Sequence, residues 1–160
     1  MRSLCMGLAL LLIGCASGPS TPPSAAPLKL ALARADGRAI ELSAYGGQPL
    51  LLFLFATYDE ASQLALVKLT QFLSQHAAVQ VAGVLMQPDA ATFLPLFKEA
   101  VSLPFEVYYD QDLRILKGES PLGKLNGIPT FVALDATGRV REVRFGVLNT
   151  EQLAELTGKN

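Results

Sequence analysis

The chain has 160 residues, and thirteen Lys and Arg stand against fourteen Asp and Glu, a formal net charge of −1. That length suits one ordinary domain, and the near-balance of charge excludes the basic footprint that nucleic-acid binding needs. Apolar residues concentrate in residues 4 to 13, Leu-Cys-Met-Gly-Leu-Ala-Leu-Leu-Leu-Ile, a run shorter than the roughly 20 residues of a membrane-spanning helix. No other stretch is long enough, so a multi-span membrane protein is excluded as well.

In chain order, Met1-Arg2-Ser3 sets a positive charge ahead of the apolar run, the layout of a secretory signal. The run ends in Leu12-Ile13-Gly14-Cys15, which resembles the lipobox of bacterial lipoproteins. The resemblance implies a signal peptide over residues 1–14, cleavage before Cys15 and acylation of its sulfur. Each buried methylene contributes about 0.8 kcal/mol, so several acyl chains on one residue anchor firmly. Ala16, rather than an aspartate, follows the cysteine; by resemblance to Gram-negative lipoproteins this places the anchor in the outer membrane, facing the periplasm. Residues 15–27 form a tether rich in Pro, Ser and Ala, with nothing able to build a core. Cys5 and Cys15 are the two cysteines of the chain. The processed protein is therefore expected to carry no free thiol and no disulfide, although it enters a compartment where disulfides persist.

The remaining residues, 28–160, read as one α/β domain. Residues 28–32 and 39–42 are short strands around the turn Ala35-Asp36-Gly37-Arg38, an opening hairpin. Residues 50–55, Leu-Leu-Leu-Phe-Leu-Phe, form an unbroken apolar run, the pattern of a strand covered on both faces. Residues 59–75 place Leu64, Val67, Leu69 and Phe72 close to helical spacing. A strand over 79–86, a helix over 89–101, a strand over 105–109 and a short helix over 112–117 follow. Residues 130–134 and 140–145 flank the turn Asp135-Ala-Thr-Gly138, a second hairpin. A helix opened by Thr150-Glu151 closes the chain.

This order of elements, with two local motifs, resembles the thioredoxin-like fold and within it the TlpA/redoxin branch of exported thiol-disulfide proteins. Asp36-Gly37-Arg38 with Leu42, Tyr45 and Gly47 is similar to that branch's opening hairpin. Gly127-Ile128-Pro129-Thr130-Phe131, then Leu134-Asp135 and Gly138-Arg139-Val140, is similar to its cis-proline loop and following hairpin. The resemblance implies a mixed central sheet flanked by helices, with an N-terminal β-hairpin and a cis bond before Pro129.

It also implies where the chemistry should stand. The family places Cys-x-x-Cys where a helix N-terminus can lower a thiol's pKa. Here Phe55-Ala56-Thr57-Tyr58 leads into Asp59-Glu60-Ala61-Ser62, so Asp59 and Ser62 occupy the cysteine positions and no catalytic residue carries over. Thr57 to Glu60 matches a capping box, and the helix dipole would stabilise Asp59 as an anion by about 0.3–1 kcal/mol. These residues therefore read as a cap rather than as a catalytic acid. His76 is the sole histidine, about four helical turns from Asp59, and reads as a helix C-terminus; no metal site or cofactor motif is present. Tyr58, Phe55 and Tyr45 are aromatics that either line the old active site or belong to the core. Asp110 and Asp112 read as solvated loop acids, and Arg139, Arg141 and Arg144 as an exposed, charged edge strand.

The leading functional reading is a redox-inactive, lipid-anchored thioredoxin-like protein that binds an envelope protein or extended peptide at Tyr58, Asp59, Ile128 and Pro129. Strand addition beside the proline needs no thiol, and Asp59 would add a modest preference for a basic segment. The alternative is a thiol-disulfide role in which a partner supplies the cysteines; an enzyme using Asp59 and Glu60 is a third reading with less behind it. For the anchor, mass spectrometry of the mature protein is expected to find an acylated N-terminus at Cys15, and Cys15→Ala to release or stall the chain. An unmodified Cys15 would remove the envelope assignment.

Overall fold

The structure is a computed structural model that describes residues 26–159. The signal segment, Cys15 and the tether up to residue 25 lie outside the described residues. In chain order the elements are β1 (Ala31–Ala33), β2 (Ala39–Glu41), a 3-10 turn (Leu42–Tyr45), β3 (Leu50–Phe55), α1 (Glu60–Gln75), β4 (Gln80–Leu85), α2 (Ala90–Ala100), β5 (Glu106–Tyr109), α3 (Arg114–Lys117), β6 (Thr130–Leu134), β7 (Val140–Phe145) and α4 (Thr150–Thr157). The strands form one sheet in the order β2-β1-β5-β4-β3-β6-β7. β3, β4 and β5 run parallel, whereas β6 is antiparallel to β3, β7 to β6, and β1 to both β2 and β5. Both expected hairpins and the expected mixed sheet are present, and Pro27 already bridges Arg139 at the margin.

Burial follows from the sequence of β3. Every one of its six residues is buried, because alternate side chains enter two different cores. Leu51, Phe53 and Phe55 face a cluster built with Leu69, Phe72, Leu94 and Leu153, contributed by α1, α2 and α4. Phe53 stacks on Phe55 and on Phe131 with centroids 4.8 and 4.9 Å apart. Leu50, Leu52 and Leu54 face the other way, against Leu28, Leu30, Leu42, Tyr108 and Ile115. The first face thus carries helices of 16, 11 and 8 residues. The second is covered by the N-terminal segment, the 3-10 turn, the four-residue α3 and loop residues such as Leu122, Leu125 and Ile128.

Three sequence expectations change in detail. In α1 the buried stripe is Ser62, Ala65, Leu69, Phe72 and Leu73, which keeps to one face at 3.6 residues per turn. Leu64 and Val67 fall off that stripe and are half exposed, at 51% and 53%. Asp110 is buried rather than solvated; its carboxylate accepts from the N–H of Ile115 at 2.7 Å and of Asp112 at 3.2 Å, which pins the start of α3. Asp112 itself is exposed. Strand β7 is an edge, as its arginines suggest, but two of them are latches. The Arg141 guanidinium donates to the Leu156 carbonyl, and Arg144 meets Glu142 at 2.5 Å and Glu155 at 3.2 Å, tying β7 to α4.

His76 closes α1 as expected. Its Nδ1 lies 3.0 Å from the Phe72 carbonyl, and its ring stacks on Phe72 at 4.2 Å. Among the described residues no helix is long and apolar enough to cross a membrane. Urea unfolding provides a test of the stripe in α1. Leu69→Ala, at a fully buried position, should cost about 2–5 kcal/mol, whereas Leu64→Ala should stay within about 0.5 kcal/mol.

Candidate binding site

The site forms where β3 and β4 end and β6 begins. Leu54 pairs with Thr130 as the last rung between β3 and β6, so the exit of β3 and the Ile128-Pro129 corner emerge at the same end of the sheet. The Ile128-Pro129 bond is cis.

From β3 the chain turns through Ala56 to Asp59 into α1. Asp59 is the N-cap, extended at φ −94° and ψ 119°, and its Oδ2 accepts from the Ser62 N–H at 2.7 Å. Ser62 is fully buried, and its hydroxyl oxygen accepts from the Ala56 N–H at 3.3 Å. Asp59 and Ser62 are thus joined to one another and to the end of β3 by hydrogen bonds. The cap differs from the expected one. Thr57 does not cap the helix, because its N–H and hydroxyl both donate to Gln87 Oε1, at 3.1 and 2.9 Å. With that hydroxyl committed, the role passes to Asp59, and Glu60 falls in the first turn rather than at the third helical position. The capping box in this fold lies elsewhere, between Asn149 and Gln152 at the start of α4.

Gln87 is a site residue that the sequence reading missed. It is 2% exposed, holds Thr57 through its carbonyl oxygen and donates from Nε2 to Asp89 Oδ1 at 2.8 Å. The available signal was a lone amide between the apolar strand and Pro88. Gln63 adds a further bond to this turn, donating to the Thr57 carbonyl at 2.8 Å.

The proline loop is held from two sides. The Thr130 hydroxyl donates to the Gly127 carbonyl at 2.6 Å, and the Gly146 N–H donates to the Pro129 carbonyl at 2.8 Å. Pro129 is buried and Ile128 half-buried, the latter packing on the second core. Among the described residues, neither the N–H nor the C=O of Ile128 has a hydrogen-bond partner. Gly127 lies at φ +147°, and a Cβ there would come within 2.9 Å of Phe145 Cε2. The Phe145 ring therefore rests on the backbone of the loop. Phe145 is 54% exposed and Tyr58 68%, which makes them the two open aromatic surfaces of this end. Phe145 was missed too; its signal was a bulky apolar residue at the end of an alternating edge strand, next to Gly146.

Of the aromatics weighed from sequence, Phe55 is core, at 1% exposure. Tyr45 packs on the opposite core from Phe55, with its hydroxyl 2.6 Å from that of Tyr108; burial and this neighbour push its phenol well above the usual range. A cavity of about 500 Å³ lies beside Tyr45, lined by Leu28, Leu42, Leu50 and Leu134, and none of the site residues line it. Among the described residues no group of three or more His, Cys, Asp or Glu could hold a metal ion.

No protein-family model matches the sequence, and no curated protein does. Solved structures do. StoA from Bacillus subtilis aligns at a TM-score of 0.62 and 20% identity, covering 84% of this chain and 99% of its own. The pneumococcal exposed lipoprotein thioredoxin Etrx1 from Streptococcus pneumoniae gives 0.66 and 18%, over 82% and 99%. The thiol:disulfide interchange protein of the thioredoxin family from Chlorobium tepidum gives 0.61 and 18%, over 89% and 97%. At these identities the likeness is one of fold: the chain has the thioredoxin-like fold, as the motif around Pro129 implied.

The cap is testable by itself. Asp59→Ala should destabilise the chain by about 0.5–2 kcal/mol in urea unfolding, and Asp59→Asn should recover most of that, because either side chain accepts from the Ser62 N–H.

Proposed function

We propose that this protein is a lipid-anchored, thioredoxin-like lipoprotein of the bacterial envelope that binds a protein or extended peptide next to Pro129 and carries out no thiol chemistry of its own. The observation that carries the reading is the pair of main-chain groups on Ile128, one donor and one acceptor, that have no partner among the described residues, at the end of the sheet where β3 leads into α1. An extended chain laid alongside would satisfy both groups, with main-chain bonds supplying affinity and side-chain contacts supplying choice. The redox part rests on composition. Residues 28–160 contain no cysteine, and Asp59 and Ser62 stand where the fold's reactive pair would be. The envelope address rests on the signal and lipobox pattern; the resemblance in fold to an exposed lipoprotein thioredoxin is in keeping with it. By the same resemblance to Gram-negative lipoproteins, Ala16 points to the outer membrane.

Two measurements on the full chain in detergent test this. Amide shifts on addition of an extended peptide should cluster at residues 57–62 and 126–131; shifts on the opposite face would remove the site. Insulin reduction should not exceed a no-protein control. Asp59→Cys with Ser62→Cys should then introduce a reversible disulfide, since the two Cα atoms across the first helical turn fall within the roughly 4.4–6.8 Å that a disulfide spans. A folded double variant that never oxidises would mean that these positions are not the equivalents of the family's pair.

A further inference from the structure

We propose that the cavity beside Tyr45 is a binding site for a single-chain fatty-acid anion. It is separate from the peptide site and takes from the reading above only the membrane address.

The cavity lies at the far end of the sheet from Pro129. Leu50 and Leu134, which pair at one end of the β3-β6 ladder, both line it, whereas Leu54 and Thr130 pair at the other end. Its walls are residues 27–31, the 3-10 turn and the turn after β6. These thin segments leave about 500 Å³ between them, within the roughly 300–1,000 Å³ of small-molecule sites.

Residual exposure marks the same place. Leu28, Leu30, Leu42, Leu50 and Leu134 keep 3 to 7% of their surface open, while Leu52, Leu54 and Val132, deeper in the same cluster, keep none. An open aliphatic surface forgoes dispersion contacts that a hydrocarbon chain would supply. Of the lining residues only Tyr45 is aromatic. Its ring meets that of Tyr108 edge-on and the two hydroxyls are bonded, so the wall offers aliphatic packing rather than stacking.

The charged residues of the lining set the sign of the head group. Asp135 Oδ1 already accepts from the N–H and hydroxyl of Thr137 and from the N–H of Arg139, at 2.6 to 3.0 Å, and Glu41 accepts from the Ser43 hydroxyl at 3.4 Å. Arg114, by contrast, spends one N–H on the Glu119 carbonyl at 3.2 Å, and the Lys29 ammonium has no partner among the described residues. Donors are therefore in excess around an aliphatic cavity, which matches an anionic head on an alkyl chain. Cys15 and Pro27 are twelve residues apart, at most about 43 Å of extended chain. An anchor at Cys15 thus keeps the cavity close to a bilayer, where such lipids reside.

The test uses the full chain in phosphatidylcholine vesicles with a photoreactive palmitate, the attachment sites being read by peptide mass spectrometry. Label should fall on residues 27–50 and 134–138, and unlabelled palmitate should displace it about fivefold better than hexadecanol. Ser43→Trp and Ala136→Trp, at exposed positions of the lining, should each cut labelling about tenfold while circular dichroism reports that the fold is kept. Lys29→Ala with Arg114→Ala should remove the advantage of palmitate over hexadecanol and leave labelling in place. Label confined to other surfaces, label unchanged by both tryptophan variants, or equal displacement by palmitate and hexadecanol overturns the inference. Labelling seen only with Cys15→Ala would put the protein's own acyl chain in the cavity and overturns it too. The same spectra show whether Cys15 is acylated, so failure of the anchor and failure of the cavity are told apart.

Discussion

Everything in this fold is arranged around the burial of one strand on both sides. A six-residue apolar strand in the middle of a sheet cannot leave either face to water. At about 25 cal/mol per Å² of apolar area, an uncovered face would forfeit several kcal/mol. The chain meets that constraint asymmetrically. Three helices cover the face of Leu51, Phe53 and Phe55, whereas loops and two short helical turns cover that of Leu50, Leu52 and Leu54. Because β3 is fixed from both sides, the residues it delivers at its end are fixed as well.

That delivery explains the character of the site. The turn from β3 into α1 is held by Gln87, Gln63, Asp59 and Ser62 through hydrogen bonds of 2.7 to 3.3 Å. Across the sheet, Thr130 and Gly146 hold the proline loop. Among the described residues no buried side-chain polar atom lacks a partner, so polar networks of this kind rigidify rather than cost stability. Against that background the bare main chain of Ile128 stands out, as backbone groups are nearly always paired when they are not left to solvent or a ligand.

Much of this was legible in the sequence, and for identifiable reasons. The run 50–55 and the hairpin turns at Gly37 and Gly138 are dictated locally, and the structure places β3, β6 and β7 at the bounds read from composition. The motif around Pro129 pointed to the fold. What was not legible depended on partners distant in sequence. Thr57 looked like a cap until Gln87, thirty residues on, took its hydroxyl. Asp110 looked solvated until the backbone of Ile115 folded over it. Leu64 and Val67 matched a helical repeat, but the sheet decides which face of α1 is turned inward. Phe145 gained its meaning from Gly127, with which it shares no local pattern.

If the proposed binding site is correct, the hydrogen-bonded pair of Asp59 and Ser62 has a kinetic consequence for this end of the molecule. In a protein with two thiols at these positions, a captured chain can be locked by a mixed disulfide, and its release then waits on an electron donor. A carboxylate and a hydroxyl that are bonded to each other and to the strand end offer no such lock. On the proposed reading, a segment paired with Ile128 would leave at the rate its non-covalent contacts allow, and occupancy would track the local concentration of the ligand rather than the redox poise of the compartment.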